Sequence, residues 1–267
     1  MRTAALTALV YEARSVVVTV RSELSPASVG PVIVSGMLAE QLAKELAAGA
    51  EPGAVVAHEG ITTPFADVLV RIVAGDPADP DAAFVRDADR RGIPVVLVQL
   101  WPQADWTPTF VLSPFVVECR TGEGFPLREI ADRIVEASEH GPLLAARIPA
   151  LKEATSGGLV RGSVVRAAIL AVAGTGKGAA RPLITLEQLR MLARLRATTT
   201  GSGPPDEMPV MAGGAAIALA AGFAFRGIAR RARDVLPAPI ANAAVAAAGT
   251  WALAKALQTL ESRLQPE

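Results

Sequence analysis

Histidine and cysteine, the side chains most used in acid–base, nucleophilic and metal chemistry, are scarce in this sequence. There are two histidines, His58 and His140, and one cysteine, Cys119. A single cysteine closes no disulfide within the chain, and a thiolate metal site needs several. Any catalytic imidazole must be one of the two. His58 and Glu59 stand together at the end of an apolar run, where they can act as an acid–base pair. No nucleophile is indicated beside them, and Gly60 suits a plain turn. Asp67, Asp76, Asp79 and Asp81 fall close together, and Asp79-Pro80-Asp81 can touch a cation. Such residues more often build turns and helix N-caps. Cys119 follows an apolar run and is expected to be an inert core residue.

Phosphate chemistry makes different demands. A phosphate cradle needs glycines so that backbone N–H groups converge, a lysine, and a Ser or Thr for magnesium. The loop after the first core strand reads Val34-Ser35-Gly36-Met37-Leu38, with one glycine, no lysine and no hydroxyl after it. A bare helix N-terminus is what remains there to attract an anion. Further on, AGTGKG carries Gly176-Lys177, but the required spacing falls on Ala171 and Gly178. The stretch also follows a helical pattern rather than a strand, so a flexible helix–helix turn is expected. Trp101 and Trp106 flank a proline-rich loop. They form a partner surface if exposed, and pack beneath the loop if buried.

These residues need elements to position them. Short apolar runs bounded by turn residues predict strands at Gly30–Gly36, GAVVAHEG, ADVLVRIVAG, IPVVLVQL and FVLSPFVVECR. MLAEQLAKELAAGA has helical spacing, with Leu38, Leu42 and Leu46 on one face and Gly49 as the stop. A polar helix is expected from near Asp81. FPLREIADRIVEAS predicts an amphipathic helix with Leu127, Ile130, Ile134 and Val135 inward. Before them, residues 1–24 predict a short helix and the β-branched run Ser15–Val20. Strands that alternate with helices and are apolar throughout mean a parallel sheet covered on both faces. The expected fold is therefore α/β, a doubly wound parallel sheet over residues 1–140. Residues 141–158 are expected to join it, as a linker or a connecting helix, to an all-α domain over 159–267. In a doubly wound sheet the ligand site lies at the carboxyl ends of the strands.

Two stretches resemble known families. IPVVLVQLWPQ, followed by Arg120-Thr121-Gly122-Glu123-Gly124-Phe125-Pro126-Leu127 and a helix, is similar to the guanine-recognition half of Era-like GTPases. The resemblance covers about residues 30–138. The chemistry does not carry over. The base-reading Asn, Lys and Asp fall on Leu100, Trp101 and Gln103, and the Ser-Ala pair falls on Glu118-Cys119. The magnesium motif falls on Ala57-His58-Glu59-Gly60, where only the glycine is kept. The resemblance thus implies a degenerate, P-loop-GTPase-like (Rossmann-like) pseudo-GTPase domain. From Leu183 onward, LITLEQLRMLARLRATTTG, AGGAAIALAAGFAFRGIARRARDVLP and ANAAVAAAGTWALAKAL resemble the helical domain of YcjF-type bacterial proteins. That resemblance implies membrane association.

Composition frames the membrane question. The chain has 267 residues, 51% of them hydrophobic and 4% aromatic, with zero formal net charge. No basic surplus points to a nucleic-acid partner. The opening residues do not read as a secretory signal, because Glu12 and Arg14 interrupt the apolar run. Pro209–Phe225 and Ala238–Ala254 are free of charge, yet a little short of the roughly 20 residues that span a bilayer. A simple hairpin would place Arg226, Arg230, Arg231 and Arg233 outside, against the tendency of basic loops to stay inside. Either the helices form a soluble or interfacial bundle with the arginines at anionic headgroups, or Leu159–Ala173 spans as well despite Arg161 and Arg166.

The expectation is a non-enzymatic scaffold or regulatory partner in the cytoplasm, at the inner face of the cell membrane. No cofactor, metal or catalytic residue is assigned. The expected interaction surface comprises Ser35, Gly36, His58, Glu59, Trp101, Trp106, Thr121, Gly122, Glu123, Arg226, Arg230, Arg231 and Arg233. The expected partners are a protein (a GTPase, or a second copy through the helical domain) and a membrane surface. The alternative is a noncanonical nucleotide- or anion-binding switch that uses the same rim.

Overall fold

The computed structural model describes Leu24 and residues 29–59, 65–75, 79–102, 115–120, 122, 124–173, 180–201 and 236–264. The first helix and the β-branched run expected before residue 24 lie outside them. The chain divides into two compact units: Pro26–Thr155 with Thr198–Gly201, and Met1–Ser25 with Ser156–Ala197 and Ser202–Glu267.

The first unit is a five-stranded, all-parallel sheet. Its strands are β1 (Val32–Gly36), β2 (Val55–His58), β3 (Val68–Ala74), β4 (Val95–Leu100) and β5 (Val116–Cys119), in the order β2-β1-β3-β4-β5. Helix α1 (Ala39–Leu46) joins β1 to β2, and α2 (Asp79–Arg90) joins β3 to β4. The first crossover steps one way across the sheet and the second steps the other way. Right-handed connections must then lie on opposite faces. The packing agrees. Val32, Val34, Val70, Ile72 and Val98 share a core with Leu42 and Leu46 of α1, while Ile33 and Leu69 meet Phe84 and Ala88 of α2. The order therefore reverses between β1 and β3, which is the switch point of this doubly wound arrangement.

Helix α3 (Leu127–Ala137) returns over the α1 face, where Ile130 and Ile134 are fully buried and Leu127 and Val135 pack at the margin. Truncating either isoleucine to alanine would cost about 2–5 kcal/mol. Leu38 does not join Leu42 and Leu46 on the buried face of α1. It precedes the helix as the N-cap, in a left-handed conformation and exposed. The tight turn at Gly36 delays the first helical residue to Ala39.

The segment read as a linker belongs to the sheet unit through Thr155. It forms α4 (Gly141–Arg147), a 3₁₀ turn (Pro149–Leu151) and the start of α5 (Lys152–Ala173), with Leu143, Leu144, Ile148 and Leu151 fully buried. Four such side chains are reason enough to fold the segment onto the core rather than leave it as a tether.

Among the described residues everything after 140 is helical, as expected: α5, α6 (Ala180–Thr200) and α7 (Ala238–Leu264). In the second unit Val160, Met191, Leu195 and Ala254 draw these three helices together. Polar bonds add to that packing. Glu187 of α6 takes Arg166 at 2.6 Å and Ser163 at 3.0 Å from α5, and Gln188 reaches Thr250 of α7 at 3.1 Å. Two helical stretches, Pro149–Ala173 and Ala238–Thr259, are long and apolar enough to cross a membrane by length and composition alone, with only 22% and 28% of their apolar windows buried. The AGTGKG stretch and Pro209–Phe225 lie outside the described residues.

Candidate functional site

The two ends of the sheet differ in chemistry. At the carboxyl end, β1 stops at Gly36 with a φ of 99°, and a Cβ there would lie 2.0 Å from the Ile72 carbonyl oxygen. Only glycine permits the loop to turn this close to β3. Met37 and Leu38 follow, 51% and 47% exposed, with Leu38 at a φ of 58°. Two strands away, Trp101 leaves β4 at a φ of 51° and is 57% exposed. Bulky side chains with left-handed backbones are strained, and such strain persists where the surrounding structure imposes it. The Trp101 N–H is fixed by the Cys119 carbonyl at 3.0 Å, which helps to impose it.

Below this rim the sheet faces diverge. Register places His58, Ser35 and Arg71 side by side across β2, β1 and β3, on the face that α2 covers. Gln99 and Glu118 pair one row further along the same face. The opposite face stays apolar to its end. Ser35 is completely buried, and its hydroxyl has no hydrogen-bond partner. Arg71 is held by Asp81, whose Oδ1 accepts from Nε at 2.9 Å and from Nη2 at 2.6 Å, and its guanidinium lies 4.9 Å from the Phe84 ring centroid. Gln99 donates to the Gly75 carbonyl oxygen at 3.1 Å.

At the amino end the polar groups are satisfied instead. Asp67, just before β3, accepts from Ser138 Oγ at 2.5 Å and meets His140 Nδ1 at 2.7 Å, while Ser138 Oγ accepts the His140 backbone N–H at 2.9 Å. Arg147 reaches Glu51 at 3.0 Å and the carbonyl oxygens of Val29 and Gly30. A cavity of about 590 Å³ opens here, lined by Phe65, Asp67, Ile93, Pro94 and His140 among others. Asp67 and His140 line it, and Ser138 joins them through Asp67, but in the wrong order for nucleophile activation. That chemistry puts the imidazole between hydroxyl and carboxylate. Here the carboxylate is in the middle, which makes the cluster a clasp between the end of α3 and the start of β3.

Of the residues singled out from sequence, Ser35, Gly36 and His58 converge at the carboxyl edge. Glu59 is exposed just beyond β2, Trp101 sits on the same rim, and Gly122 has open space around its Cα. Trp106, Thr121, Glu123, Arg226, Arg230, Arg231 and Arg233 lie outside the described residues. The aspartates do not converge. Asp79 and Asp81 start α2, Asp67 is at the opposite edge, and Asp76 lies outside the described residues. No group of three or more metal-ligating side chains occurs among the described residues. Cys119 is buried, and burial, aided by Glu129, pushes its thiol up to about 11. Sequence does not mark Arg71, because a lone cation inside the apolar run ADVLVRIVAG gives no periodic signal and Asp81, ten residues on, reads as a turn or capping residue. No protein-family model, curated protein or solved structure was found to match this chain.

Proposed function

We propose that the chain is a non-hydrolysing adaptor. In this reading its pseudo-GTPase-like sheet unit docks a protein partner through the carboxyl edge, and its helical unit rests on a membrane surface. The carrying observation is the rim itself: Met37, Leu38 and Trp101 are exposed, and two of them are held at a left-handed backbone. Apolar side chains stand where a phosphate cradle would need glycines and a lysine. The Era-like and YcjF-type resemblances support the same reading from sequence.

The membrane part follows from charge depth. If α5 and α7 crossed a bilayer while packed on α6, Glu187, Arg190 and Arg194 would lie at hydrocarbon depth, at about 2.5–3.5 kcal/mol for each central charge. Lying along the interface avoids this. It also uses the exposed apolar stripes Val165, Ile169 and Val172 on α5, and Ile240 and Trp251 on α7.

Two measurements test the reading. Equilibrium titration of the full chain with GTP and ATP should show no micromolar affinity, and such affinity with turnover would overturn the adaptor. Membrane fractions should release the protein in alkaline carbonate. Retention after that wash would establish spanning instead.

A further inference from the structure

We propose that Ser35 and Arg71, flanked by His58, form a binding site for a small oxyanion on the α2 face of the sheet, at the β1/β3 switch point. Three observations meet there. First, register brings the three residues onto one row of adjacent strands, each step being about 4.8 Å. Second, the Ser35 hydroxyl is fully buried with no hydrogen-bond partner, a state that folded proteins rarely keep without use. Third, Arg71 is held in place with one edge left over by its carboxylate. Asp81 takes the Nε and Nη2 groups through a single oxygen, Phe84 lies beneath the plane, and the Nη1 edge is not engaged by Asp81.

A hydroxyl and a guanidinium from neighbouring positions on one row are a donor set. It suits a carboxylate or phosphate oxygen, which accepts charge-assisted bonds from both. Arg71 keeps 19% of its side chain exposed, beside a Ser35 that is completely buried. Because the donors are side chains, the site does not need the glycine-rich backbone cradle that the loop after β1 lacks. It also lies where doubly wound sheets take their ligands. The site is independent of the docking role, and either can fail without the other.

The experiment uses the full chain at constant ionic strength, titrated by calorimetry and thermal melting with inorganic phosphate, with acetate, and with chloride as reference. Phosphate or acetate should raise the melting temperature above chloride, and the tighter of the two names the oxyanion as phosphoryl or carboxylate. Ser35→Ala should weaken that binding about tenfold or more, because it removes a bond to a charged group. In chloride the same variant should melt no lower than the parent, since it removes a hydroxyl that lacks a partner. Arg71→Lys should weaken binding with the charge retained. The proposal is overturned if neither anion outperforms chloride, if Ser35→Ala binds like the parent, or if that variant melts lower in chloride.

Discussion

The amino and carboxyl ends of one sheet are built to opposite standards. At the amino end, Asp67, Ser138, His140, Arg147 and Glu51 pair with one another, and the segment after α3 clasps the strand starts. At the carboxyl end a hydroxyl is left without a partner and two bulky residues are held at positive φ. The same β-sheet physics governs both ends, and the proposed adaptor role accounts for the difference by giving each end its own task. The amino end stabilises the fold. The carboxyl end keeps features that cost stability, as sites for ligands and partners do.

The largest expected effect is at the carboxyl edge itself. Gly36→Ala puts a Cβ 2.0 Å from the Ile72 carbonyl oxygen at a φ of 99°. It should destabilise by about 3 kcal/mol or more in urea unfolding. Gly124→Ala, at the same φ but with open space around it, should cost about 1 kcal/mol. Next comes the clasp. Asp67→Ala strands the Ser138 hydroxyl and the His140 ring nitrogen, and should lose about 2–4 kcal/mol by the same measurement. A loss under about 0.5 kcal/mol would make the amino end no better stitched than the other.

Smaller and opposite in sign is the relief of strain. Leu38→Gly and Trp101→Gly should each stabilise by about 0.5–1 kcal/mol, because glycine accepts the left-handed backbone. If both destabilise, these residues are packed rather than presented. The smallest effect concerns Cys119. Burial raises its folded thiol to about 11, against an ordinary value of 9.0. Below that lower value the thiol is protonated in both states. Between the two values the unfolded chain ionises first, so stability should fall as pH rises through this window. Replacing Cys119 with Ala should flatten that part of the pH–stability curve. Thiol reagents at neutral pH should react with the parent only on unfolding.

The strands were legible because a parallel sheet buried on both faces writes itself as unbroken apolar runs, of which IPVVLVQL is the clearest. Helix α3 was legible through Ile130 and Ile134 at helical spacing. The rim was legible in part: Ser35, Gly36, His58 and Trp101 are at the strand ends where a doubly wound sheet takes its ligands. What was not legible is long-range pairing. Asp67 and His140 are 73 residues apart, and no local pattern marks them as partners. Arg71 has no local signal in sequence, and only register sets it beside Ser35. Residues 141–158 read equally as a linker or a connecting helix, and Leu143, Leu144 and Ile148 carry the apolar content of a packed segment. Leu38 fitted the helical spacing of Leu42 and Leu46, but periodicity cannot show that the helix starts one residue later.

The division of labour between the two ends is tested most directly by photo-crosslinking in the intact cell. A photoreactive amino acid is placed at Met37 on the carboxyl rim and, separately, at Glu139 on the amino end. The account predicts a discrete protein adduct from position 37 that Trp101→Asp abolishes, and none from position 139. An adduct from position 139 with none from position 37, or the same adduct from both, would contradict it.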